Sequence, residues 1–279
     1  MKPKLDHFAV VTATTDHERA SACIRSWVDR AAHQWKLYVI ENGGERLYLG
    51  TVPAFAEGVR QALAAGHEVI ACLHDDLLIE QDGWDQSILF PFRARPQVGL
   101  LGFLGGTGLG DHDIYQTPYS PHQLARQGVV SNERNAEAHG RRVGLPTRVA
   151  VLDGFCQVGR RAFWEGKFRD GRLQRTDVYP GDPFAWTPSG GTNLFAEMAS
   201  WGLVHHAYDA ALGCFAARLG WEVWCFPIAC WHQGGATAVA DSGYTDWART
   251  QHPDGDQGFW NDAHQIVYDK FRDVLPVRV

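Results

Sequence analysis

Residues 71–84 read ACLHDDLLIEQDGW. An apolar run passes straight into His74-Asp75-Asp76 and then into Leu77-Leu78-Ile79. Adjacent carboxylates repel each other, and each resists leaving water. A divalent cation removes both penalties. Mg²⁺ or Mn²⁺ takes carboxylate and phosphate oxygens together, so the pair points to a metal–diphosphate site. A helix N-cap or a solvated turn is the plain alternative. His232 follows a second apolar stretch, Ile228 to Trp231. A histidine there is ordinarily structural. If it meets the Asp pair in space, its imidazole completes a mixed nitrogen and oxygen shell. Asp209 has His205 and His206 four and three residues before it, which predicts one shared helix face. A carboxylate beside a metal–phosphate site can act as general base toward a hydroxyl. A surface helix charge is the competing reading.

Positioning these groups falls to a repeating pattern. Phe8 to Ala13 reads as a buried strand, and Asp16 as the N-cap of a helix over about 17–32. Leu37 to Glu41 is a second strand, Val52 to Ala65 a helix stopped by Gly66, and Glu68 to Leu73 a third strand. Strands alternating with helices predict a parallel sheet covered by helices, with ligands at the C-terminal strand ends. Thr12 and Thr14, Glu41 and Asn42, and His74-Asp75-Asp76 all fall at such ends and would share one crevice.

Further on, a helix is expected over about 84–93 and a strand over Val98 to Phe103. GFLGGTGLGDHD, residues 102–113, lacks the spacing of a dinucleotide fingerprint and reads as a flexible loop near the crevice. Residues 114–147 are polar and irregular. Val149 to Leu152 is apolar and runs into Asp153-Gly154, and Gly159-Arg160-Arg161 opens a short helix. Residues 170–192, rich in Pro and Gly, read as a substrate-side loop. Tyr208 to Leu219 has helical spacing with Gly220 as its cap, Glu222 to Phe226 is a strand, and the tail over about 256–274 is an amphipathic helix. With no repeat or low-complexity linker, a single domain over 1–279 is the simplest expectation. Its nucleotide-binding half would span about 1–110 and its acceptor and catalytic half about 111–279.

Composition sets the outer bounds. Of the 279 residues, 45% are hydrophobic and 21% charged, ordinary for a globular chain with a sizeable core. The formal net charge is −6 with no Lys/Arg block, so no general nucleic-acid surface is indicated. The six cysteines form no CxxC pair and sit mostly in apolar segments, which favours a reducing compartment over a zinc ribbon or disulfide scaffold. MKPKLDHF has no apolar signal region, and no run reaches the roughly 20 residues of a membrane span. A cytoplasmic location is the expectation. The 11 tryptophans are ordinarily core residues, with stacking on flat ligands as the sharper alternative.

Four segments in this order resemble the family 2 inverting glycosyltransferases of the GT-A fold. FAVVTATT with LYVIENGG is similar to the family's nucleotide-binding strands, and VIACLHDDLLIEQDGW to its metal motif. VLDGFCQVGRRAFWE and HHAYDAALGCFAARLGWEVWCFPIACWHQGG are similar to its later blocks. The resemblance spans about residues 8–235. It implies a Rossmann-type, mostly parallel sheet and a metal-dependent transfer of sugar, with inversion, from a nucleotide-diphosphate sugar to an acceptor hydroxyl. Mn²⁺ or Mg²⁺ would be the cofactor and a UDP-sugar the favoured donor. Thr12, Thr14, Glu41 and Asn42 would line the nucleotide pocket. Asp76 would hold the metal with His74 or Asp75, and His232 would complete the shell. Asp75 would sit at the donor side, Asp153 and Gly154 at the donor–acceptor junction, Asp209 would be the base, and Trp84 would lie near the acceptor. Trp164, Tyr179, Trp186 and Trp201, in or beside the divergent loops, are the candidate acceptor surface. The acceptor could be a glycan, small molecule, protein or modified nucleobase. The chain departs from the family at Ala211 and Phe215, where an Asp and an Arg are usual, and at His74, where an Asp is usual. A nucleotidyltransferase is a second reading, although TATTDHERA lacks the glycines and close Lys of its phosphate loop. A non-catalytic sugar- or nucleotide-binding protein is a third.

Overall fold

Strands that are apolar on both faces belong in the middle of a layered sheet. The first strand, β1 (Lys4–Thr14), shows the pattern. Phe8 and Val10 pack to one side with Trp27 and Trp84, and Ala9 and Val11 to the other with Phe55 and Val59. The computed structural model describes residues 2, 4–43, 50–110, 126–128, 130–132, 137–139, 144–170, 193–233 and 242–279. Tyr179 and Trp186 lie outside the described residues, as does most of 111–143 and 171–192.

The chain continues through α1 (His17–Arg30), β2 (Gln34–Glu41), α2 (Thr51–Ala64), β3 (Val69–Leu73), β4 (Leu77–Ile79), α3 (Trp84–Ala94) and β5 (Val98–Gly102). Short strands follow: β6 (Leu104–Gly106), β7 (Gly108–Leu109), β8 (Arg126–Gly128), β9 (Val130–Asn132), β10 (Glu137–His139), β11 (Thr147–Val149) and β12 (Val151–Leu152). Then come β13 (Cys156–Arg160), α4 (Arg161–Trp164), α5 (Leu194–Ser200), α6 (Tyr208–Leu219), β14 (Glu222–Cys225) and β15 (Cys230–His232). The last described elements are α7 (Ser242–Gln251), α8 (Gly255–Phe271) and β16 (Val277–Arg278).

The main sheet has seven strands in the order β11-β14-β5-β13-β3-β1-β2. β13 is antiparallel to both β3 and β5, and β11 is antiparallel to β14. The remaining five, β1, β2, β3, β5 and β14, run one way. This is the mixed α/β, mostly parallel, Rossmann-like sheet flanked by helices that the sequence pattern implies. β1 pairs with β2 on one side and β3 on the other, so the strand order reverses at β1, where such sheets open a crevice.

Local signals explain the helix ends. The Asp16 carboxylate accepts the amides of Glu18 and Arg19, capping α1. Gly220, at φ +76°, terminates α6 in the left-handed region. Some expectations needed correction. Leu104–Gly106 and Gly108–Leu109 are strands, because β12 and β16 pair with them, so the glycine-rich segment is not a loop up to that point. Trp84 and Trp164 are fully buried; their indole N–H groups donate to the carbonyls of Trp27 and Ile70. They are core residues, not acceptor contacts. Trp201 is half-buried, stacked on Phe215 at a 5.5 Å ring separation. Among the described residues no helix is long and apolar enough to cross a membrane. All six cysteines are free and buried.

Candidate functional site

Strand pairing explains how residues 158 positions apart meet. After the turn at His74-Asp75-Asp76, β4 runs antiparallel to β15, with Leu77 opposite His232. This register sets the His232 ring beside the turn. The His232 ring also stacks on Phe155, 4.5 Å between centroids, and the Phe155 carbonyl accepts the His74 amide. His74, Asp76 and His232 each offer one ligand atom, and these atoms lie within 4.8 Å of one another. Asp76 Oδ1 is 3.2 Å from His232 Nε2 and 3.8 Å from His74 Nδ1. Burial opposes charge on His232, but the Asp76 carboxylate beside it outweighs this and raises its pKa. Burial works against the Asp76 anion too, yet His232, His74 and Arg19 hold that carboxyl well below its ordinary value.

Asp76 Oδ1 and His232 Nε2 are both buried without a hydrogen bond of acceptable geometry. Buried polar atoms in that state call for a partner. A cation drawn to all three lone pairs is such a partner, so these residues fit a metal ion.

A hydrogen-bond chain orients His74. Tyr208 donates its hydroxyl to the Gly154 carbonyl at 3.0 Å, so the same oxygen accepts from His74 Nε2 at 2.6 Å. Burial holds the His74 pKa down, so the ring is neutral with its one N–H on Nε2. Nδ1 then carries the lone pair and faces Asp76. Neither contact is possible with a larger residue at 154, because a Cβ there would run into the Tyr208 phenol.

A cavity of 380 Å³ opens over this cluster, lined in part by Ala13, Asn42, His74, Asp75, Asp76, Asp153, Gly154 and Asp209. Asp153 is half-buried and accepts the Phe155 amide at 3.4 Å. Asp209, in the first turn of α6, accepts the Ala210 amide at 2.9 Å. Asp75 lines the cavity but is engaged within the protein. Its Oδ2 takes Arg19 Nη2 at 2.9 Å and the Thr14 hydroxyl at 2.6 Å, so its charge is met within the protein. Thr12 is another correction. Strand alternation turns Thr12 and Thr14 to the α1 side, whereas Ala13 and Thr15 line the cavity. Thr12 is fully buried and Thr14 nearly so. Glu41 is exposed, pairs with His17 at 3.0 Å and does not line the cavity.

Sequence reasoning noted His205 and His206 only as neighbours of Asp209 and missed the rest of another part of the lining. His205, His206, Tyr244, Asp256, Trp260 and His264 face the same space. α6 starts at Tyr208, so His205 and His206 reach the cavity from the preceding turn and not from a helix face shared with Asp209. Ala207, at φ +58°, makes that turn. Asp256, Trp260 and His264 are spaced by four on α8, a signal readable in the amphipathic tail. His206 Nε2 donates to Asp256 Oδ1 at 2.8 Å, and the Tyr244 hydroxyl donates to the same oxygen.

No family model matches the chain, and no curated protein matches its sequence. The solved structure of A197 from STIV is similar at a TM-score of 0.40 and 7% identity, over 79% of this chain and 82% of that one.

Proposed function

We propose that the chain is a metal-dependent glycosyltransferase that moves a sugar from a nucleotide-diphosphate donor to an acceptor hydroxyl. One observation carries the reading: two imidazoles and a carboxylate, with Asp76 Oδ1 and His232 Nε2 buried and unsatisfied, meet at the strand-order reversal under a cavity of 380 Å³. His74, Asp76 and His232 would hold the cation. A bound cation would offset the negative charge that gathers on a departing diphosphate. Asn42, just past β2, and the backbone around Ala13 would receive the nucleoside. Asp153 and Gly154 border the reacting centre. The acceptor hydroxyl gives its proton to a group on the part of the lining where Asp209 lies; Asp209 is the base nominated by the resemblance. Arg19 serves the site indirectly by neutralising Asp75. The donor set argues for Mn²⁺ over Mg²⁺, because imidazole suits the later first-row ions and Mg²⁺ prefers an all-oxygen shell.

Calorimetry with UDP, GDP, dTDP and CDP, each with and without Mn²⁺, tests the reading. One nucleotide should bind only with the ion, and Asp76→Ala should abolish that binding. Binding of no nucleotide under any condition would overturn it. Release of pyrophosphate from a nucleoside triphosphate would point instead to nucleotidyl transfer.

A further inference from the structure

We infer that His206, held by Asp256, is the group that takes the acceptor hydroxyl's proton, in place of Asp209. This rests on the glycosyl-transfer reading above. The geometry is that of a carboxylate-oriented imidazole. Asp256 Oδ1 lies 2.8 Å from His206 Nε2 and also accepts the Tyr244 hydroxyl. The His206 and Tyr244 hydrogen bonds outweigh partial burial and hold the Asp256 carboxyl down at about 2, so it is an anion and can only accept. Nε2 therefore carries the proton of the neutral ring, and Nδ1 keeps its lone pair. No hydrogen bond engages Nδ1 among the described residues, and His206 lines the cavity that holds the metal-ligand cluster.

The backbone gives independent support. Ala207 is the one non-glycine residue with positive φ among the described residues, and it sits between His206 and Tyr208. A left-handed alanine is strained and persists where surrounding structure demands it. Here it reverses the chain so that His206, ahead of α6, and Asp209, within it, line the same cavity. An imidazole is better matched than a carboxylate to taking and returning a proton near neutral pH. Asp209, by contrast, spends Oδ1 on its neighbour's amide.

The step balances. The hydroxyl O–H bond breaks and its proton passes to His206 Nδ1. The oxygen forms a bond to the anomeric carbon. The bond from that carbon to the diphosphate oxygen breaks, and its electron pair leaves with the diphosphate. The imidazolium formed is offset by Asp256. The titratable groups around His206 are Asp256 and His264 from α8, Tyr244 from α7, and His205 and Asp209 from its own segment.

Two measurements on the intact protein test this. Long-range proton–nitrogen spectra of ¹⁵N-histidine protein should show neutral His206 protonated on Nε2. Asp256→Ala should spread that proton over both ring nitrogens, since the acceptor that fixes the tautomer is gone. A ring protonated on Nδ1, or a tautomer indifferent to Asp256→Ala, overturns the inference. Turnover is read as nucleoside diphosphate released from UDP-, GDP- and dTDP-glucose in Mn²⁺ with glycerol as acceptor. His206→Gln should cut it by about 100-fold or more while leaving Mn²⁺ and nucleotide affinity unchanged. Asp256→Ala should lower turnover as well, by losing the group that orients the ring. Bound nucleotide without release, or release indifferent to His206→Gln, overturns this inference alone. No bound nucleotide at all overturns the glycosyl-transfer reading and the inference with it.

Discussion

At the scale of single residues, the cation preference of the proposed site would turn on His74. Its Nε2–H is committed to Tyr208, which leaves Nδ1 for a metal. With His232, the cluster presents two nitrogens and one carboxylate. Asp75 does not add a second carboxylate, because Arg19 and Thr14 occupy its Oδ2. His74→Asp would convert the set to two carboxylates and one imidazole. Titration calorimetry should then show Mn²⁺ binding weakened and Mg²⁺ binding strengthened, narrowing the preference by about tenfold. Tyr208→Phe should weaken Mn²⁺ by about tenfold through loss of the tautomer lock, with the ligands themselves untouched. Equal Mg²⁺ and Mn²⁺ affinity in the wild type would refute the donor-set argument.

At the scale of elements, the seam between α6 and the β12–β13 connection carries the site. Tyr208 opens α6, and its hydroxyl reaches the Gly154 carbonyl. Gly154→Ala would push the phenol off that carbonyl and drag His74 with it. We expect a loss of about 1–3 kcal/mol in denaturant unfolding, as for an overpacked core. Weakened Mn²⁺ binding should accompany it; unchanged metal affinity would mean that Tyr208 does not position His74. The DG pair stood out in the sequence, yet the reason for its glycine did not, since the contact spans 54 residues of chain. Much of the fold was legible for a simple reason. Strands β1, β3 and β5 are apolar on both faces, and α1 and α6 carry their own caps. The missed elements, α5 and α7, are short or polar and owe their helical state to packing. The Asp76–His232 encounter was nominated from residue type and from resemblance; its cause, the β4–β15 register, is a long-range pairing that no local pattern encodes.

At the scale of the whole molecule, the α7–α8 hairpin that completes the cavity also sets the response to acid. Burial, with His206 nearby, pushes His205 down to about 3 from its ordinary 6.5. Burial likewise pushes His264 down to about 4, against the pull of its hydrogen bond to the Trp260 carbonyl. Both rings are therefore neutral in the folded chain at pH values where the unfolded chain has already charged them. The unfolded state binds more protons below about pH 6.5, so stability must fall as pH drops from there toward 4. Asp256 acts in a lower window. Its depressed pKa contributes stability above its ordinary 3.8, and that contribution is lost as pH falls toward about 2. His205 and His264 thus pull the melting temperature down between pH 6.5 and 4.5, whereas His232, with its raised pKa, contributes in the opposite sense and loses its contribution as pH rises above 6.5. His205→Phe keeps a ring among Tyr244, Trp247 and Phe259 but removes a titrating group. It forfeits the Thr51 amide contact, so its absolute stability is lower, but its slope against pH across that window should be shallower. Parallel curves for the two proteins would show that the acid response originates outside this wall.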